Sequence, residues 1–185
     1  MKTNKDNKKI KVFVGMSGGV DSSVAAALLK QRGYNVTGVF IKIWDEKWGA
    51  CNWPQERREA MKVAMRLGIP FKTLDLSRAY KKEVADYMER EYRFGRTPNP
   101  DVVCTKTIKF GSFLRWALKQ GADYIATGHY AIISNDKFLI SNQIPNAKSQ
   151  IPKKSKIQNP KSKIQLLRGV DNGKDQSYFL WQLTQ

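Results

Sequence analysis

Three serines, two glycines and one carboxylate stand together in Ser17-Gly-Gly-Val-Asp-Ser-Ser23. Hydroxyl donors and adjacent glycines suit the binding of a phosphate if the segment opens a helix. Backbone N–H groups at a helix start carry partial positive charge, and glycines let an anion come close to them. Asp21 is the odd member. A carboxylate beside a phosphate cradle repels the anion unless a cation such as Mg2+ lies between them. A second reactive stretch is Asn99-Pro-Asp-Val-Val-Cys104, followed by Lys106 and Lys109. Thiolate is the nucleophilic form of cysteine, and these lysines with a nearby helix N-terminus are expected to lower the Cys104 pKa. Cys51, between Trp48 and Trp53, reads as packing or incidental. The single His129 reads as a structural histidine at a strand end.

Positioning these groups requires strands that end at them and helices that begin there. Strand signals fall at residues 10–15, 36–43, 71–76 and 124–126. Helical spacing falls between them. A helix is expected from Pro54 to Leu67, with Met61, Ala64 and Met65 on one face. Ser77 is placed as the cap of another, whose apolar face is Val84, Tyr87, Met88 and Tyr92. Phe110, Phe113, Leu114, Ala117 and Leu118 give the clearest amphipathic pattern. Strands alternating with helices imply right-handed βαβ units. The expected class is α/β, a Rossmann-like open parallel sheet with helices on both faces. In such sheets ligands bind at the carboxyl ends of the strands. Residues 17–23, 44–53 and 127–130 all fall at such ends and are expected to converge. Residues 94–106 break the pattern: Gly95-Arg-Thr-Pro-Asn-Pro100 reads as a stiff basic loop running to Cys104 and leading into a helix.

The chain has 185 residues, 41% of them hydrophobic, enough for one domain with a sizeable core. No long apolar span and no secretory signal is evident, so a soluble, cytoplasmic protein with no membrane partner is expected. Two distant cysteines do not make a disulfide scaffold, and with one histidine they leave structural zinc without ligands. Lys and Arg total 33 against 16 for Asp and Glu, a net charge of +17. Residues 141–168 hold seven basic and no acidic residues, yet the remainder still carries +10. A nucleic-acid partner is the first expectation from such a surface. Three imperfect copies of one Lys-, Ser-, Gln- and Pro-rich unit fill residues 144–165, and units this short cannot bury a core. The expected organisation is therefore a catalytic domain over 1–140, a disordered lysine-rich insertion over 141–165, and the end of the catalytic domain over 166–185.

The first motif is neither a Walker A loop, lacking Gly-Lys-Ser/Thr, nor a dinucleotide Gly-x-Gly-x-x-Gly turn. Ser-Gly-Gly-x-Asp-Ser resembles the pyrophosphate loop of the ATP pyrophosphatases, which split ATP into AMP and pyrophosphate. Three further stretches narrow the resemblance. They are Gly95-Arg-Thr-Pro-Asn-Pro-Asp-Val-Val-Cys104 with Ile108-Lys-Phe110, then Gly121-Ala-Asp-Tyr-Ile-Ala-Thr-Gly-His-Tyr130, and Leu166-Leu-Arg-Gly-Val-Asp-Asn-Gly-Lys-Asp-Gln-Ser-Tyr-Phe-Leu180. In this order they resemble the tRNA-specific 2-thiouridylases from about Lys11 to Leu183, interrupted by the repeat.

That resemblance implies an adenine nucleotide alpha hydrolase-like fold and a two-stage reaction. ATP adenylates the C2 carbonyl oxygen of the wobble uridine. Sulfur from a cysteine persulfide, supplied by a cysteine desulfurase or a sulfur-relay protein, then displaces AMP. Carried over by motif, Gly15, Met16, Ser17, Gly18, Gly19, Val20, Asp21 and Ser22 would hold ATP, with Asp21 taking Mg2+. Ile41 and Gly128 would flank the nucleotide, Ile41 standing where the family often has Met. Asn99, Pro100 and Asp101 would meet the target base, and Lys174, Asp175 and Gln176 would contact tRNA. Cys104 matches the family's first catalytic cysteine. Thr105 stands where the family usually has Asn. The family's second catalytic cysteine, its central domain and its β-barrel all lie beyond the point where this chain stops. The resemblance thus implies an adenylation half without the sulfur-donating half. Two other readings stay open: an ATP pyrophosphatase that adenylates a carboxylate, and a non-catalytic RNA-binding remnant.

Overall fold

The computed structural model describes residues 5–135 and 164–182. Its contacts divide into two units, Met1–His129 with Tyr178–Gln185, and Tyr130–Ser177.

The first unit is built on four parallel strands: β1 (Lys11–Gly15), β2 (Asn35–Lys42), β3 (Phe71–Asp75) and β4 (Tyr124–Ala126), in the order β3-β2-β1-β4. Val12 pairs with Val36 on one side and Tyr124 on the other. These runs are rich in β-branched and aromatic side chains, which suit a pleated surface covered on both faces. Val12 and Val14 point to one face, where they pack with Met16, Ala26, Ala60 and Ala64. Phe13 points to the other, with Val39, Phe113, Ala117 and Ala122. Ala26 belongs to α1 (Val20–Gln31), and Ala60 and Ala64 to α2 (Trp53–Leu67). Small residues at these points let both helices lie close to the sheet. The parallel α/β class and its strands therefore stand as expected, with ends within one residue of those read from the sequence.

Two helical stretches depart from expectation. Residues 77–93 run as α3 (Ser77–Tyr80), a π-helical segment (Lys81–Ala85) and α4 (Asp86–Arg93). Ser77 is the first helical residue and not the cap. Its amide and hydroxyl both donate to Asp75 Oδ1, at 2.9 and 2.6 Å, so Asp75 ties the helix start to the end of β3. Val84 on this helix is buried, but Tyr92 at the end of the expected apolar face is exposed. Residues 100–119 run as α5 (Pro100–Cys104), a longer π-helical segment (Thr105–Phe113) and α6 (Leu114–Lys119). The expected loop therefore stops at Asn99, five residues before Cys104. Pro100 begins the helix because proline fits the first helical turn, where its missing N–H costs nothing. Asn99 caps it, its Oδ1 accepting from the Val102 amide at 3.2 Å.

The second unit contains the antiparallel pair β5 (Ala131–Asn135) and β6 (Ile164–Arg168), with Ala131 opposite Arg168. Tyr130 OH accepts from the Asp171 amide at 3.0 Å. Arg168 pairs with Asp175 at 3.3 Å. Of the lysine-rich tract at 141–165, residues 141–163 lie outside the described residues.

Candidate functional site

From β1 the chain crosses to β2 on one side, and β4 returns on the other. The two connections leave a crevice at the carboxyl ends of β1 and β4, the place where open α/β sheets bind ligands. The serine–glycine loop leaves β1 at this crevice. Met16, the first loop residue, is buried, and its amide donates to the Val39 carbonyl at 2.8 Å. That bond prolongs the β1–β2 ladder by one residue and aims the loop.

The loop is held by its own hydroxyls. Ser17 Oγ accepts from the Gly19 amide at 3.3 Å, and Ser22 Oγ accepts from the Ser17 amide at 3.3 Å. Ser22 and Ser23 hydroxyls both donate to the Gly19 carbonyl, at 3.2 and 2.7 Å. Ser22 is buried, whereas Ser17, Gly19 and Asp21 are exposed. The serines thus brace the loop as much as they line it. Gly19 stands before the first residue of α1 in extended backbone, and no side chain caps the helix there. This leaves the helix's first N–H groups facing the crevice without a side-chain acceptor. Gly18 has φ +87°, a left-handed conformation, and a Cβ there would lie 3.0 Å from the Glu56 carbonyl oxygen and 3.1 Å from Glu59 Cβ. Only glycine fits between the loop and α2.

Gly128 closes the other side. A Cβ built on it would meet the Ser22 amide nitrogen and lie 2.7 Å from both Ser22 Cα and the Asp21 carbonyl carbon. The loop after β4 therefore rests directly on the backbone of the first turn of α1. Ile41 reaches the base of the same crevice: a Cβ on Gly15 would lie 3.7 Å from Ile41 Cδ1 and 3.6 Å from the Phe113 ring. Gly15, Met16, Ser17, Gly18, Gly19, Val20, Asp21, Ser22, Ile41 and Gly128 are thus brought together at the end of one sheet.

Next to Gly128, His129 Nδ1 lies 2.6 Å from Thr127 Oγ1, and its ring stacks on Phe110 at 5.8 Å between centroids. Burial and the Lys109 charge push its pKa down to about 4. The imidazole is therefore neutral near pH 7. His129 sits in the loop after β4 and joins that loop to the Cys104 helix through Phe110.

Cys104 is the last residue of α5, partly buried, and the helix continues past it. The expected depression of its pKa is not found. Burial pushes the thiol up, Lys109 pulls it down without prevailing, and Asp101 adds to the rise. Cys104 also gains nothing from a helix N-terminus, because it sits a full turn inside the helix. Tyr80 of α3 faces the same place: burial raises its hydroxyl pKa, and the charges of Cys104 and Asp101 add to the rise. Tyr80 was missed from the sequence, although it extends the Val84–Tyr87 face by one turn. Asn99, Pro100 and Asp101 form the first turn of the Cys104 helix, with Asn99 and Asp101 exposed. Cys51 is exposed, which leaves the incidental one of its two readings and not the packing one.

Lys174, Asp175 and Gln176 belong to the second unit. Lys174 and Gln176 are exposed. Asp175 accepts from the Ser177 amide at 3.1 Å; the Ser177 hydrogen bonds, with help from Arg168, hold its carboxyl below the usual range.

Among the described residues no group of three or more His, Cys, Asp or Glu gathers to hold a metal ion. Mg2+ needs no such cage when phosphate oxygens and waters supply most ligands, and a single carboxylate at the mouth of a phosphate cradle fits that habit. Asp21, exposed in the first turn of α1, is a carboxylate that such a site could use. No helix among the described residues is long and apolar enough to cross a membrane.

Known proteins resemble this chain along nearly its whole length. It is 47% identical over 182 residues to a tRNA-specific 2-thiouridylase MnmA of Streptococcus pyogenes serotype M49, covering 97% of this chain and 43% of that protein. It is equally similar, with the same coverage, to the tRNA-specific 2-thiouridylase MnmA of Streptococcus uberis. The chain thus spans less than half the length of the curated relatives it matches. Among solved structures, an NMN synthetase from Francisella tularensis aligns with a TM-score of 0.43 at 19% identity, over 64% of this chain and 45% of that one. The model of the tRNA methyl transferase HUP domain matches residues 10–185, and the chain belongs to that family.

Proposed function

We propose that this chain is the ATP-using part of a tRNA 2-thiouridylase. The observation that carries the reading is the seat of Gly128 on the Asp21–Ser22 backbone. It joins the loop after β4 to an uncapped helix start at the carboxyl end of the sheet. Gly15, Met16, Ser17, Gly18, Gly19, Val20 and Ser22 would hold the phosphates, with Ile41 and Gly128 flanking the nucleotide. Asp21 would hold Mg2+, which supplies charge neutralisation to the phosphates when bound.

The chemistry follows from leaving groups. A uracil carbonyl oxygen is a poor leaving group, and an adenylate is a good one. The uridine oxygen attacks the α-phosphorus and pyrophosphate departs. A sulfur nucleophile then attacks C2, and AMP leaves with the oxygen. Asn99, Pro100 and Asp101, exposed at the head of the Cys104 helix, would meet the base. Cys104 would act on the persulfide delivered by a cysteine desulfurase or relay protein. Lys174, Asp175 and Gln176 would contact the tRNA. The surplus of 17 positive charges supports a polyanionic partner, and the cytoplasm is the compartment where such a partner is met. The similarity to 2-thiouridylases at 47% identity supports the reading over an amide-forming ligase.

The test is pyrophosphate release by the purified chain with Mg-ATP, with and without unmodified tRNA. Release that depends on tRNA is the expected result. Turnover driven by a small carboxylic acid without RNA would overturn it. ATP binding without turnover would place the tRNA grip in polypeptide that this chain does not contain.

A further inference from the structure

Cys104 and Lys109 are five residues apart. On an α-helix that spacing turns two side chains about 140° away from each other. In a π-helix each amide bonds five residues back, so residues five apart stack about one turn above one another. The winding changes to π right after Cys104, over Thr105–Phe113. That winding brings position 109 toward the helix face of position 104, where α winding would turn it away.

The surroundings of the thiol make that lysine matter. Cys104 is partly buried, and a thiolate there has lost much of its water. The charged and titratable groups that act on it are Asp101 and Lys109 on its own helix, with Tyr80 on α3 facing it. Of these only Lys109 is cationic. The same ammonium acts on His129, whose ring stacks on Phe110, the neighbour of Lys109 in sequence. Lys109 therefore acts on both the His129 ring and the thiol.

We propose that Lys109 is a positioning residue that provides the counter-charge for the Cys104 thiolate, and that the π-helical winding of Thr105–Phe113 exists to bring it there. When Cys104 ionises, its proton leaves to solvent, and Lys109 is the cation among the described residues in place to balance the sulfur. The inference rests on the reading of Cys104 as the sulfur-handling thiol. Its test needs neither ATP nor tRNA, so it can fail while the proposed function stands.

The experiment is iodoacetamide alkylation of the full chain against pH in a Cys51→Ser background, where Cys104 is the single thiol. Lys109→Met is expected to raise the pH midpoint of alkylation by about one unit and slow the reaction near neutral pH about tenfold. Lys109→Arg should restore most of the rate. Lys106→Met, two residues from the thiol and exposed, should leave it unchanged. The single histidine gives a second readout by proton NMR, where Lys109→Met should move the His129 midpoint upward. An unchanged alkylation profile in Lys109→Met, or an equal shift in Lys106→Met, would overturn the proposal. Should Lys109→Met melt well below the parent, Lys109→Gln, uncharged and polar, is read in the same way, and an unchanged profile there overturns the proposal equally.

Discussion

A Cβ placed on Gly128 would lie 2.7 Å from the Cα of Ser22, so these two residues meet backbone to backbone. No flexible side chain stands between them to give way. Gly128→Ala must therefore push the loop after β4 off the first turn of α1. We expect a loss of about 1–3 kcal/mol in stability and loss of nucleotide binding, read as a lower melting temperature that ATP no longer raises.

Asp21 presents the opposite case. It is exposed and makes no side-chain hydrogen bond among the described residues. Asp21→Asn should leave stability within about 0.5 kcal/mol. Pyrophosphate release with tRNA should fall a hundredfold or more if, as proposed, the carboxylate holds a cation against phosphate oxygens. Titrating Mg2+ in both proteins separates weaker metal binding from a slower reaction.

His129 gives the chain a pH response that can be followed at one nucleus. Its pKa is pushed to about 4 by burial and Lys109, against about 6.5 in an unfolded chain. Between those values the unfolded state binds the proton and the folded state does not. Stability is therefore full above pH 6.5 and is lost as pH falls toward 4. Allowing for solvent screening of a ring that is not fully enclosed, the loss should be about 1–2 kcal/mol. Urea melts at pH 7 and pH 4.5 check the sign, and His129→Gln should remove this part of the dependence.

Trp53, the first residue of α2, holds a buried indole Nε1 without a hydrogen-bond partner among the described residues, while Lys42 Nζ lies 4.6 Å from its ring. A buried donor left unpaired costs about 1–3 kcal/mol. Trp53→Phe removes the donor and keeps an aromatic face for Lys42. A melting temperature equal to or above the parent's is expected, and a marked drop would mean that the indole N–H has a partner such as buried water.

The sheet was legible because Val12, Phe13 and Val14, and their counterparts in β2, carry the side chains that a strand covered on both faces needs. The serine–glycine loop was legible because its residue types have few other uses together. The surroundings of Cys104 were not. Two prolines pointed to a loop, yet Pro100 sits where a helix accepts proline without cost, so the helix begins early and draws the thiol inside. The π-helical segments leave no mark in residue types, since they change the winding of the backbone and not the kind of side chain it carries. Burial then reversed the effect that two lysines suggested. Tyr80 was within reach of the helical spacing, one turn before Val84.

The segment Thr105–Phe113 can also be seen as a phase adjustment. Upstream of it the helix carries Asp101 and Cys104, which face Tyr80; downstream it answers to the sheet, through Phe113 and Ala117. An extra residue in each turn offsets the two halves. Evolution can therefore gain or lose a residue there without unravelling either half. A deletion would rotate the Cys104 thiol relative to the core, whereas a substitution would only change its neighbours. In homologous chains, the length of this one segment should track the direction in which the cysteine faces.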